Sequence, residues 1–234
     1  MFFLQLLEEN EVKECLRGMR KAKFVNGEIT QPIKHLKKNT ESTGVPDTVR
    51  RILTDKFYDN HYTDSVYCPS RVSVNFYNKY VEGDFYDLHV DAFKARPKSS
   101  NIYFDYGFSI NLSDDYEGGE FALQTPLGNI ERKLASGEAV LFPIIYPHGV
   151  KRITKGVREN IIGWLSSNVT YEQSFLLHTM YEVNAYLMDQ NKEMSLKSTL
   201  IQTYLKKEWG KWGVKTNGYT KFDYTLYSRY SWWW

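Results

Sequence analysis

His89 and Asp91 stand two residues apart in FYDLHVD, and His148 opens the later stretch HGVKRI. In a strand, residues i and i+2 project from one face, so the first pair brings an imidazole and a carboxylate toward one point. A strand starting at His148 and folded alongside in a barrel adds a second imidazole. Two His and one carboxylate on one side of an ion leave its other positions open, a set suited to iron(II) that must still bind reactants. The HxD spacing alone is a weak signal, because a hydrogen-bonded pair on a surface strand shows the same pattern.

Arg158 lies ten positions past His148 on the next expected strand, and Trp164 follows six positions later on the same face. A co-substrate such as 2-oxoglutarate asks two things of a protein: metal positions for its keto-acid end and a cation for its far carboxylate. Arg158 can supply the cation, since a guanidinium grips a carboxylate through two parallel hydrogen bonds. Tyr80, nine residues before His89, can donate its hydroxyl to the same group. The plainer alternative for Arg158 is a solvated charge on an edge strand. His35, His61 and His178 read as surface or packing histidines, and Gly118 with Gly119 as a hairpin turn.

Positioning these groups falls to the stretch from Arg71 to Ser167. It reads as short β-branched and aromatic runs: RVSVNFYNKY, FYDLHVD, IYFDYGFSINL, GGEFALQ, GNIERKL, EAVLFP, HGVKRI and RENIIGWLSS. Gly, Pro, Asp or Asn bound each one. About eight short strands with turn signals between them predict a sandwich or barrel. The expected class is mainly β with flanking helices, built on a double-stranded β-helix (jelly roll) core.

Ahead of that core, Val12, Cys15, Leu16 and Met19 mark one helical face within residues 8–19. Residues 23–47 are broken by Gly27, Pro32, Gly44 and Pro46 into loop or short strand, and residues 48–60 suit another helix. Behind it, Thr170 and Gln173 have the form of a capping box, and Leu176, Met180, Val183 and Leu187 follow at helical spacing. A further helix is expected from Ser195 to about Trp209, with Leu196, Leu200, Ile201, Tyr204 and Leu205 on one face.

Composition narrows the classes further. Thirty Lys and Arg against 28 Asp and Glu give a formal charge of +2, so no global basic field attracts nucleic acid. Residues 191–234 do hold eight Lys and Arg against three Asp and Glu, interleaved with aromatics, a mixture able to bind single strands or simply to face solvent. Cys15 and Cys68 make no disulfide framework. The apolar opening meets Glu8 and Glu9 too early for a signal peptide, and no run approaches the roughly 18 apolar residues of a membrane helix. The expected home is the cytoplasm, of a host cell if the source is viral.

The ordered motifs KYVEGDFYDLHVD, DDYEGGEF, SGEAVLFP and HGVKRITKGVRENIIGW closely resemble the PKHD-type hydroxylases, bacterial relatives of the prolyl 4-hydroxylases. KFVNGEIT, LKKNTE and LLHTMYEVNAYL extend the likeness outward, to a coverage of about Glu8 to Trp212. The resemblance implies an Fe(II)- and 2-oxoglutarate-dependent dioxygenase that uses O2, with ascorbate as a reductant, and forms succinate and CO2. It implies His89, Asp91 and His148 as iron ligands and Arg158 and Tyr80 as 2-oxoglutarate residues, with Tyr86 and Trp164 near the iron. The domains expected are a dioxygenase domain over 1–168 (core about 71–167, support 1–70), a helical extension over 169–212 and an aromatic tail over 213–234.

The leading substrate is an amino-acid side chain, prolyl or lysyl in type, within a protein or a small molecule. A nucleic-acid base and a non-catalytic jelly-roll binding protein stand as alternatives. Ala92 replaces a common Asn after the HxD, and Tyr103 and Phe104 stand where an Arg-Thr pair is usual. Both departures fall on the expected substrate side, and neither oligomeric state nor substrate identity is legible.

Overall fold

The structure is a computed structural model that describes residues 2–30, 33, 35–42, 44–92 and 102–217. It divides into two compact units, Met1–Ser167 and Asn168–Trp234.

The first unit opens with strand β1 (Phe2–Gln5) and helix α1 (Glu9–Met19). The apolar opening is thus an edge strand, which the sequence reading did not foresee, paired antiparallel from Phe2 opposite Leu141 to Gln5 opposite Glu138. Val12, Cys15 and Met19 of α1 are buried, as the helical spacing requires. Glu8 and Glu11 cap the helix reciprocally. Two-residue strands β2 (Val25–Asn26) and β3 (Lys37–Lys38), a 3-10 turn at Gly27–Thr30 and strand β4 (Thr40–Ser42) follow. The helix expected over 48–60 is α2 (Asp47–Asp59), and a second short helix that was not expected, α3 (His61–Tyr67), follows it. Asn60 separates them: its backbone is extended, and its side chain accepts from Thr63 N at 3.0 Å to start the second helix.

Ten strands come next: β5 (Pro69–Tyr80), β6 (Phe85–His89), β7 (Tyr106–Asn111), β8 (Tyr116–Gly118), β9 (Phe121–Thr125), β10 (Gly128–Arg132), β11 (Glu138–Pro143), β12 (His148–Val150), β13 (Ile153–Gly156) and β14 (Arg158–Ser167). They form a seven-stranded sheet in the order β1-β11-β7-β14-β5-β4-β2, a five-stranded sheet β10-β9-β12-β6-β3, and the pair β13-β8. The pairings are antiparallel, and the architecture is the double-stranded β-helix expected from the strand spacing. Two buried groups fill its interior, one around Phe121, Leu123, Leu134, Val140 and Phe142, the other around Tyr80, Tyr116 and Ile153. On the far side of the large sheet, Phe57 of α2 packs on Phe108 with ring centroids 4.5 Å apart.

In the second unit, Thr170 and Gln173 form the expected capping box at the start of α4 (Tyr171–Gln190), and α5 (Lys192–Asn217) follows. Both expected helices form, but the second runs from Lys192 to Asn217 and not from Ser195 to about Trp209, and the packing face differs. Leu196, Leu200, Ile201 and Tyr204 are exposed, as are Leu176 and Val183. The two helices meet instead through smaller and polar groups: Ser195 Oγ bonds Asn184 Oδ1 at 2.7 Å, and Gln202 Nε2 donates to Leu177 O at 3.3 Å. Apolar period marks a helix, yet partner hydrogen bonds choose which side of it faces a neighbour. Among the described residues no helix is long and apolar enough to cross a membrane.

Gly163, in the middle of β14, allows the close approach of β5 and of the Phe108 ring. A Cβ there would lie 2.0 Å from Ser73 O and 2.5 Å from Phe108 Cζ. Gly163→Ala is expected to cost about 1–3 kcal/mol of stability, read as a lower denaturant midpoint at unchanged slope. An unshifted midpoint would show that neither neighbour resists.

Candidate active site

His89 ends β6, and Asp91 lies two residues on, just past the strand. His148 begins β12 and is the cross-strand partner of His89. The sequence expectation placed both members of the HxD within a strand; the chain in fact leaves the ladder after His89, and the three side chains still converge. Their ligand atoms lie within 4.8 Å of one another. Asp91 Oδ1 is 3.6 Å from His89 Nε2, and Asp91 Oδ2 is 3.5 Å from His148 Nε2.

Backbone carbonyls orient both rings. His89 Nδ1 contacts Asp87 O at 2.9 Å and His148 Nδ1 contacts Tyr146 O at 3.0 Å. A carbonyl only accepts, so each Nδ1 carries a proton and, in the neutral ring, Nε2 presents its lone pair inward. Burial acts to raise the Asp91 carboxyl, but His148, His89 and the Trp164 N–H hold it well below the usual carboxylate range. An ionised carboxylate and two Nε2 atoms pointed at one place call for a positive charge among them, which a proton on Nε2 or a metal in its stead supplies. Nitrogen, nitrogen and oxygen on one side fit iron(II) with open positions opposite.

Aromatic side chains enclose this set. Tyr86 stacks on His89 with centroids 3.7 Å apart and planes at 10°, and Phe142 lies 4.3 Å from the His148 ring. Trp164 Nε1 donates to Asp91 Oδ2 at 2.7 Å. Its indole is flanked by Phe104 at 5.8 Å and Phe76 at 6.0 Å. Tyr86 and Trp164 are therefore at the site, as the sequence reading had them, while the supporting Phe142 and Phe76 carried no signal in the sequence beyond being apolar.

Arg158, the first residue of β14, faces Tyr80 of β5 directly across the ladder. It is 1% exposed, and none of its three guanidinium nitrogens makes a hydrogen bond. The guanidinium lies 5.5 Å from the Tyr80 ring centre. Burial raises the Tyr116 hydroxyl and Arg158 offsets part of that rise, which places the charge beside Tyr116 although no hydrogen bond forms between them. A solvated edge-strand Arg is excluded. A buried cation without partners is costly, and a carboxylate is the group that satisfies its fork. Tyr80 is pushed up by burial, so its phenol stays protonated and able to donate.

Gly119 has a role that the sequence reading missed. At φ +67° it carries a backbone that side-chain-bearing residues rarely adopt, and a Cβ would meet Ile153 Cδ1 at 2.4 Å and Arg158 Cδ at 3.1 Å. The absence of a side chain there gives Arg158 its space. A Gly-Gly pair ahead of Glu120 was the only hint. His35, His61 and His178 take no part in the cluster: His178 pairs with Glu182 at 3.2 Å, and His61 lies 3.5 Å from Ser65. Residues 218–234 of the basic aromatic tail lie outside the described residues.

Residues 72–166, from β5 to β14, match the 2OG-Fe(II) oxygenase superfamily. A PKHD-type hydroxylase of Idiomarina loihiensis is 30% identical over 166 residues, covering 70% of this chain and 75% of its own. The chain belongs to the PKHD-type hydroxylases. A further family member, from Aliarcobacter butzleri, is 28% identical over 219 residues, or 88% of this chain and 96% of its own. As a PKHD-type hydroxylase the protein is an Fe(II)- and 2-oxoglutarate-dependent enzyme, which removes the reading as a non-catalytic binding protein.

Two solved structures share the fold. One is a prolyl hydroxylase from Trichoplax adhaerens in complex with a hypoxia inducible factor peptide fragment, 14% identical, with a TM-score of 0.55 over 71% of this chain and 83% of that one. The other is HygX from Streptomyces hygroscopicus with nickel, 2-oxoglutarate and hygromycin B bound, 16% identical, with a TM-score of 0.50 over 72% and 84%.

The Trp164 hydrogen bond steers the Asp91 carboxylate within this PKHD-type site. Trp164→Phe keeps the packing on Phe104 and Phe76 but removes that bond. It is expected to weaken iron(II) or manganese(II) binding by about 10–100-fold, measured by metal titration, with little change in melting temperature. Unchanged metal affinity would show that the bond is incidental.

Proposed function

We propose that His89, Asp91 and His148 hold the iron, that Arg158 and Tyr80 hold the distal carboxylate of 2-oxoglutarate, and that the enzyme hydroxylates an unactivated carbon of an amino-acid side chain. The carrying observation is the pairing of opposite needs in one barrel: a carboxylate and two imidazole nitrogens that converge as a metal's ligands would, and a sealed guanidinium that requires an anion. When bound, iron and 2-oxoglutarate would supply the oxidation with dioxygen as the oxidant: one oxygen atom of O2 would enter succinate as the co-substrate loses CO2, and the other would enter the substrate C–H bond as hydroxyl.

The chain's own residues orient, exclude water and hold protons. Asp87 O and Tyr146 O take the Nδ1 side of the two imidazoles, so both Nε2 atoms face inward beside Asp91, where a metal would be held. Tyr86 and Phe142 shield the imidazole faces from solvent, which strengthens every charge interaction inside. Tyr80 keeps its phenolic proton and presents it beside Arg158.

An amino-acid side chain of prolyl or lysyl type is the acceptor this reading favours, in a protein or a small molecule. It is supported by the hydroxylase relatives and by a structural neighbour of the same fold solved with a peptide fragment. Phe104 on Trp164 and the exposed Tyr103 give the approach to the site an aromatic character. In this reading residues 1–168 carry the chemistry, and the helical extension expected over 169–212 continues as α5 to Asn217, into the segment expected as tail.

Asp91→Ala or His148→Ala should abolish substrate-stimulated succinate formation by the purified protein, and normal turnover in either variant would sink the ligand assignment. Arg158→Ala should raise the 2-oxoglutarate concentration for half-maximal rate by about tenfold or more, with metal affinity kept. An unchanged 2-oxoglutarate dependence removes Arg158 from its role.

A further inference from the structure

Along β14 the alternate residues Arg158, Asn160, Ile162 and Trp164 share one face. Trp164 at one end of that row bonds Asp91, and Arg158 at the other end is the unpaired cation. A molecule reaching from the metal ligands to Arg158 therefore passes over Asn160 and over the residue opposite it, Asn78 of β5. The polar line continues on both sides: Asn111 of β7 faces Asn160, and Glu41 of β4 faces Asn78.

Four polar side chains abreast across four strands, all 0–1% exposed, are unusual inside a barrel. Each keeps one buried atom without a hydrogen bond: Asn111 Oδ1, Asn160 Oδ1, Asn78 Nδ2 and Glu41 Oε1. Such atoms lose free energy unless a ligand or water meets them.

The bonds already made say what each group lacks. Asn111 Nδ2 donates to Leu134 O at 2.9 Å and Asn160 Nδ2 to Ser109 Oγ at 2.8 Å, so both are left with acceptors. Asn78 is the reverse: its Oδ1 accepts from Asn39 Nδ2 at 3.0 Å, and its remaining atom is a donor. That donor stands diagonally across the ladder from Arg158, within the reach that long side chains bridge. A carboxylate has about four lone-pair sites. The Arg158 fork fills two and the Tyr80 hydroxyl a third, which leaves one for an N–H.

We propose that Asn78 is a third residue holding the co-substrate, its Nδ2 donating to the distal carboxylate while Asn39 fixes the amide's orientation. The inference rests on the reading of Arg158 as the anchor of that carboxylate. The competing partner for the same N–H is Glu41 Oε1, opposite it in the ladder; pairing there would make Asn78 a purely structural group.

The test is calorimetric titration of 2-oxoglutarate into the full chain loaded with manganese(II). Asn78→Asp retains an acceptor for Asn39 and turns the donor into an anionic oxygen, so its Kd for 2-oxoglutarate should rise about tenfold or more, and that of Asn78→Ala by several-fold. Manganese affinity should stay within about twofold of the wild type in both. If folded Asn78 variants bind 2-oxoglutarate as the wild type does while Arg158→Ala loses it, the Asn78 assignment alone is overturned. Wild-type binding by Arg158→Ala overturns the reading beneath it. If neither Asn78 variant folds, a crystal structure of the wild-type manganese and 2-oxoglutarate complex decides. A carboxylate oxygen within hydrogen-bond distance of Asn78 Nδ2 supports the proposal, and a separation beyond about 3.5 Å overturns it.

Discussion

Asp91 Oδ1 and Oδ2 sit 3.6 Å and 3.5 Å from the Nε2 atoms of His89 and His148, rings whose other nitrogens are spoken for by backbone carbonyls. Three metal-ligating groups thus converge on one point, and a positive charge among them makes the arrangement stable. Arg158 poses the complementary problem, donors with nothing to receive them. A domain's whole stability is about 5–15 kcal/mol, so such groups persist only where the surrounding framework leaves them no escape. Here the framework is the antiparallel ladder: β14 pairs with β5 along ten residues and with β7 along six of them, and all six residues of β7 are buried.

The same ladder explains how residues distant in the chain come to act together. His89 and His148 are partners across β6 and β12, and Tyr80 and Arg158 are partners across β5 and β14. Trp164 ties the two sheets at the metal end by bonding from β14 to Asp91 beyond β6. Glycines set how close these strands come, with Gly119 making room for Arg158 and Gly163 for Phe108 and the Ser73 carbonyl. The chemistry of the family thus depends on side chains, but their convergence depends on positions where a side chain is absent.

The ligand set and Arg158 follow the PKHD-type pattern, whereas Ala92, Tyr103 and Phe104 depart from it. Phe104 stacks on Trp164, the residue that bonds Asp91, so the departure reaches to within one side chain of a metal ligand.

Much of this was legible in the sequence, because some information is local. HxD spacing, the Thr170–Gln173 capping box and the short alternating runs depend on residues within a few positions of one another, and they placed the metal ligands, the fourth helix and the barrel strands. Ordered motifs then carried Arg158 and Tyr80. What was not legible depends on partners far along the chain. The opening Phe2–Gln5 is a strand only because β11 offers it an edge, and α5 turns Ser195 and Gln202 toward α4 because Asn184 and Leu177 O wait there. Gly119 looked like a turn until Arg158 lay against it. The sequence by itself determined which chemical groups the protein owns and the local geometry of each segment; the tertiary structure alone decided which of them face each other unpaired inside the barrel, since burial and hydrogen-bond satisfaction are properties of the assembled sheets.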